Sequence, residues 1–242
     1  NCDKAIITRN ASVRAQNLYI DHNLMGIMNR ATTAKTYRIE NNTIASAFIG
    51  MQFVGDNANS YVHDNTISNN DTMEFVQTGV MYNYIFPLGI DVRKLLNTSA
   101  DTMIISENTV TNNDYGGIGV GMLNTGSMVS AYKNNISMTT ANQSAVVCAG
   151  ATHLNGINAT NTFSSTIQGN HVSGSPSLLT PEREDIAGIH LNASQFSTLN
   201  CNHISNTRFG MMATGNCYTD TEAVRGNDVF NYSLGWVFRH LG

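Results

Sequence analysis

Apolar and polar positions alternate along this chain in short bursts, and the bursts recur as one phrase. Val224-Arg225-Gly226-Asn227-Asp228-Val229 leads to Gly235-Trp236-Val237-Phe238, and Leu199-Asn200-Cys201-Asn202-His203-Ile204 leads to Gly210-Met211-Met212-Ala213. Ile105-Ser106-Glu107-Asn108-Thr109-Val110 leads in the same way to Gly117-Ile118-Gly119-Val120. In each copy an apolar residue stands three before an Asn and another stands two after it. A Gly eight or nine residues further on opens a run in which apolar residues alternate. Looser copies centre on Asn42, Asn65, Asn134 and Asn170, with a weaker first copy at Asn17. From each Gly to the next Asn the distance stays between fourteen and nineteen residues, whereas from Asn to the following Gly it grows to about twenty in three copies. Insertions therefore collect at one place in the repeat.

Period two is the strand pattern. No stretch keeps helical spacing over three turns, and branched residues between Asn, Gly, Ser and Thr turns favour strands. A unit of about twenty-three residues with short strands cannot bury its apolar side alone, so it must stack on its neighbours. Stacking predicts an all-β parallel coil of about eight rungs, rising about 4.8 Å per rung to a rod roughly 40 Å long. Parallel crossovers are right-handed. The repeated Asn42, Asn65, Asn108, Asn134, Asn170, Asn202 and Asn227 fall at one corner, where an amide both donates and accepts and a stacked column satisfies itself. Asn also tolerates the left-handed backbone that a tight corner requires.

From about residue 13 to 238 these repeats resemble the right-handed parallel β-helix proteins of the pectin-lyase-like kind, with their Ile-x-x-Asn-x-Ile units followed by Gly-Ile-x-Val. The resemblance implies a single-stranded parallel β-helix with three loop insertions on one side. It leaves activity open, since that superfamily includes polysaccharide lyases, glycosidases, epimerases, phage tail spikes and surface adhesins; fold does not assign function.

Composition narrows the classes. Charged residues make up only 12 % of the 242 positions, and about thirty are Asn. So little charge argues against disorder, and a net charge of −4 without a basic stripe argues against nucleic acid. No apolar run is long enough to span a bilayer as a helix. Residues 1–242 are expected to form one β-helix domain of a longer secreted or cell-surface bacterial protein, because neither end reads as a capping helix over an open strand edge. Cys2, Cys148, Cys201 and Cys217 lack metal-type spacing. Buried single thiols are the expected state, with Cys201 and Cys217 the pair best placed for a disulfide.

The insertions, about 70–88, 139–155 and 175–187, follow one corner and should project from one side, the side that repeat scaffolds use for binding. Phe75, Tyr82, Tyr84 and Phe86 in the first could stack on sugar rings. Glu182 and Arg183 lie in the most charged part of the third. Asp21-His22 matches a step found in pectate lyases, and Asp91 and Arg93 flank Val92 at outward strand positions, as an acid and base of a lyase would. His190 also points outward. No metal-binding or cofactor signature is visible, so none is expected. The expected function is a non-catalytic extracellular scaffold or adhesin-like segment that presents a face to carbohydrate or to another surface or secretion protein. A carbohydrate-active enzyme, lyase or glycosidase, is the first alternative, and a plain spacer the second.

Overall fold

A computed structural model describes residues 4–21, 23, 25–33, 35–45, 49–55, 59–68, 88–94, 103–113, 116–122, 129–138, 154–174, 186–195, 197–217 and 224–239, and every regular element among them is a strand. All strand pairs are parallel, and each strand pairs with the equivalent one a turn above and a turn below. The molecule is a right-handed parallel β-helix with three faces.

Face one holds Lys4–Arg9, Met25–Ala31, Ile49–Gly55, Leu88–Lys94, Gly116–Met122, Leu154–Thr160 and Ile186–Asn192. Face two holds Val13–Gln16, Tyr37–Glu40, Tyr61–His63, Met103–Ser106, Val129–Tyr132, Thr166–Gln168, Thr198–Asn200 and Val224–Arg225. Face three holds Tyr19–Ile20, Thr43–Ala45, Thr66–Ser68, Thr109–Asn113, Asn135–Met138 and His171–Ser173. The twelve-residue strands His203–Thr214 and Asp228–Arg239 run through from face three to face one, which joins those two faces into one sheet. Eight turns are complete, as the repeat count predicts.

The corner between faces two and three carries the Asn column. Asn108 Nδ2 donates to Asn134 Oδ1 at 3.0 Å and to Val62 O at 3.0 Å, and the same Oδ1 accepts the Asn108 backbone N–H at 3.1 Å. Asn134 repeats this on Asn170 and Ile105 O, and Asn170 repeats it on Asn202 and Ala131 O. The run from Asn42 to Asn227 is unbroken, with amide-to-amide distances between 2.8 and 3.0 Å. Six of these side chains are at most 1 % exposed, so every amide proton has its partner inside the protein.

Two details differ from the sequence expectation. The left-handed residue is not the ladder Asn but the one before it: Asn41, Asp64, Glu107, Lys133, Gly169, Cys201 and Gly226 have φ between 52° and 63°. Asn17, with φ 58°, takes that preceding position in the first turn, so Leu18 occupies the ladder slot there. Leu18 has no amide, and only its backbone N–H reaches Asn42 Oδ1, at 3.0 Å. The column therefore begins at Asn42.

The apolar residues of the repeat fill the bore in columns. Ile39, Val62 and Ile105 stack from face two, Ile44, Ile67 and Val110 from face three, and Met51, Ile90, Ile157 and Ile189 from face one, all fully buried. The repeated Gly is explained by close approach. A Cβ on Gly188 would stand 2.2 Å from Ile204 Cγ2 and 2.8 Å from the Gly210 carbonyl oxygen. Only a residue without a side chain lets face one bend against face three there.

Each of the three long connections, 69–87, 139–153 and 175–185, joins a face-three strand to the next face-one strand. Removing one interior amide should be costly. Asn134→Ala orphans the Asn108 backbone N–H, one Asn108 amide proton and the Ile105 carbonyl, at about 1–3 kcal/mol for each buried group. Urea denaturation should show a loss of at least about 3 kcal/mol, against clearly less for Asn227→Ala at the half-buried end of the column.

Candidate functional site

On a β-helix the side chains that face away from the bore are set by register, so candidates can be assigned to columns. Along face one, one outward column runs Met28, Gln52, Asp91, Gly119, Asn158, His190, Met212, and the next runs Arg30, Val54, Arg93, Gly121, Thr160, Asn192, Thr214. Asp91 and Arg93 take register positions in these two columns on either side of the buried Val92, and their side chains lie outside the described residues.

The outer side of face one nearest the bend is buried. Met25, Met28 and Ile49 form an apolar cluster at one end of it, and Ala187, Phe209 and Met212 form another at the other end. Between them lie polar residues that are nearly as buried: Gln52, Asn155 and His190. Asn155 Nδ2 lies 3.4 Å from His190 Nδ1, and His190 Nε2 lies 2.9 Å from Thr214 Oγ1, so both ring nitrogens are engaged inside the protein. Asn155 Oδ1 finds no partner among the described residues. Asn158, Thr160, Asn192 and Thr214 are half-buried alongside, and Thr160 Oγ1 lies 3.5 Å from Asn158 Oδ1. Gly119 and Gly121 hold the register positions between Asp91 and Arg93 on one side and Asn158 and Thr160 on the other, two rung spacings or about 10 Å in all.

The other candidates are not gathered here. Asp91 and His190 are three turns apart in one column, about 14 Å by rung spacing. Asp21 lies beyond the first face-three strand, where its carboxylate accepts from Tyr19 Oη at 3.5 Å. His22, Phe75, Tyr82, Tyr84, Phe86, Glu182 and Arg183 lie outside the described residues. Among the described residues no group of three or more His, Cys, Asp or Glu side chains is gathered in one place, and no helix is long and apolar enough to cross a membrane.

The pairing of Cys201 with Cys217 is not made. Both are free thiols, Cys201 exposed beside the Asn column and Cys217 at the corner between faces one and two. The second corner has its own short ladder, in which the Thr162 N–H donates to Ser194 Oγ at 3.3 Å, the Ser194 N–H to Cys217 Sγ at 3.4 Å, and Ser194 Oγ to Ala159 O at 2.9 Å. The sequence reading passed over it because three residue types fill equivalent slots; their shared trait is a small side chain that can accept a hydrogen bond.

The geometry defines a right-handed parallel β-helix with a polar, largely uncharged patch on the outer side of face one. Compared with known family models, curated proteins and solved structures, the chain matches none.

Burial is the main cause that pushes the Cys217 thiol above its ordinary pKa, with hydrogen bonds to backbone groups partly offsetting it. Its thiolate is correspondingly scarce. Brief alkylation at pH 8 followed by peptide mass mapping should label Cys201 in the native protein and Cys217 only after unfolding.

Proposed function

We propose that the chain is a β-helical scaffold of a secreted or cell-surface protein, of the pectin-lyase-like kind, that binds a carbohydrate polymer along face one. The observation that carries this reading is the block of half-buried neutral hydrogen-bonding side chains in adjacent turns: Asn158 and Thr160, then Asn192, then Thr214. Amides and hydroxyls repeated at the rung spacing of about 4.8 Å offer donors and acceptors at regular intervals to a hydroxyl-rich chain. The three long connections join face three to face one, and the first of them carries in its sequence Phe75, Tyr82, Tyr84 and Phe86, residue types that stack on sugar rings. A protein partner on the same face would need apolar anchors. The half-buried side chains of this block are polar instead.

An enzyme of the lyase kind is the second reading, because Asp91 and Arg93 share the two outward columns with Asn158 and Thr160. Binding and turnover separate the two. On a glycan array, the Asn158→Ala/Asn192→Ala double variant should lose at least tenfold in apparent affinity for whichever polymer the native chain retains; unchanged retention removes face one from the account. With uronic-acid polymers, no unsaturated product should form at 235 nm; turnover that Asp91→Asn abolishes would make the chain a lyase.

A further inference from the structure

The outward column on face three begins directly after each ladder Asn: Thr43, Thr66, Thr109, Asn135, His171, His203, Asp228. Two consecutive turns place imidazoles in it. Their backbones are pinned from both sides, since the His171 N–H donates to Asn134 O and the His203 N–H to Asn170 O, each at 2.8 Å. The amide bond from Asn170 to Asn202, 3.0 Å, holds the same two turns together one residue earlier. Both rings are exposed, with centroids 4.9 Å apart and an edge-on angle of 62°. Phe230 packs against the far side of His203, 4.7 Å between centroids, and limits the rotamers open to that ring. In the 242-residue sequence these histidines are thirty-two positions apart, and the coil makes them neighbours.

We propose that His171 and His203 are a two-imidazole site for a divalent transition-metal ion of the zinc or copper class, with water completing the coordination. A zinc ion takes imidazole nitrogens at about 2.0–2.1 Å in a tetrahedral arrangement, which sets the two nitrogens about 3.4 Å apart. Rings whose centroids are 4.9 Å apart are close enough for one nitrogen of each to share one ion. Imidazole ligation favours zinc, copper and nickel, whereas calcium and magnesium require oxygen ligands. Asp228, one turn further in the same column, adds a carboxylate whose charge favours a cation at this end of the face. The fixed spacing removes most of the ordering cost that two histidines on a mobile surface would carry. The site is on face three and stands independently of the carbohydrate reading of face one.

The test titrates the native chain with Zn²⁺ by calorimetry and with Cu²⁺ by electron paramagnetic resonance. His171→Thr and His203→Thr are the variants, because Thr occupies this same slot in the turns of Thr43, Thr66 and Thr109, so the fold has a place for it. One equivalent of ion should bind, the copper spectrum should show two nitrogen ligands, and each substitution should weaken binding at least tenfold, while His63→Thr leaves it unchanged. Unchanged melting temperatures without metal show that the variants are folded. No binding, a single nitrogen ligand, or variants that bind like the native chain would overturn the proposal.

Discussion

The structure depends on a side-chain amide that can be donor and acceptor at once. Each interior ladder Asn uses Oδ1 for two protons from the turn before it, and uses Nδ2 for one carbonyl of that preceding turn and one amide oxygen of the next. Such an arrangement leaves no unpaired group in a position where water is excluded, and it holds only if every turn supplies the same residue at the same place. An aspartate there would present oxygen to oxygen along the column, and a serine would not span the gap. That constraint explains why a chain of varied connection lengths keeps the spacing from Gly to Asn within fourteen to nineteen residues.

With one corner fixed, the rest of the turn follows. Face two and face three meet at the ladder, so the apolar residues three before and two after the Asn are directed into the bore from both sides. Face one closes the triangle by bending at Gly, where Gly156 and Gly188 lie against Val172 and Ile204 too closely for any Cβ. A smaller ladder of Thr162, Ser194 and Cys217 ties the remaining corner in the later turns. Among the described residues the corner between faces three and one has no comparable column, and the long connections occur there.

Most of the fold was legible in the sequence because the residues that form it must repeat. The Asn column, the bore residues and the corner of the insertions all follow from aligning copies, whereas His190, expected to point outward, is buried in a polar network. Legibility failed where one role is open to several residue types. Any residue that accepts a left-handed backbone serves before the ladder Asn, so Glu107, Lys133 and Cys201 gave no signal, and Asn17 was read as a ladder residue when Leu18 holds that slot. The hydroxyl and thiol ladder was missed for the same reason. The polar network of Asn155, His190 and Thr214 joins residues up to fifty-nine positions apart and could emerge only from register. The pairing of His171 with His203 had the same origin.

A scaffold that locks two of its three edges and leaves the third slack separates upkeep from adaptation. Segments of very different length can be accepted at the slack edge without shifting a single bore residue out of step, since the amide column resets the phase of the coil once per turn. Lineages built on such a plan are free to remodel the surface they offer to the outside while the rod beneath keeps its diameter and pitch.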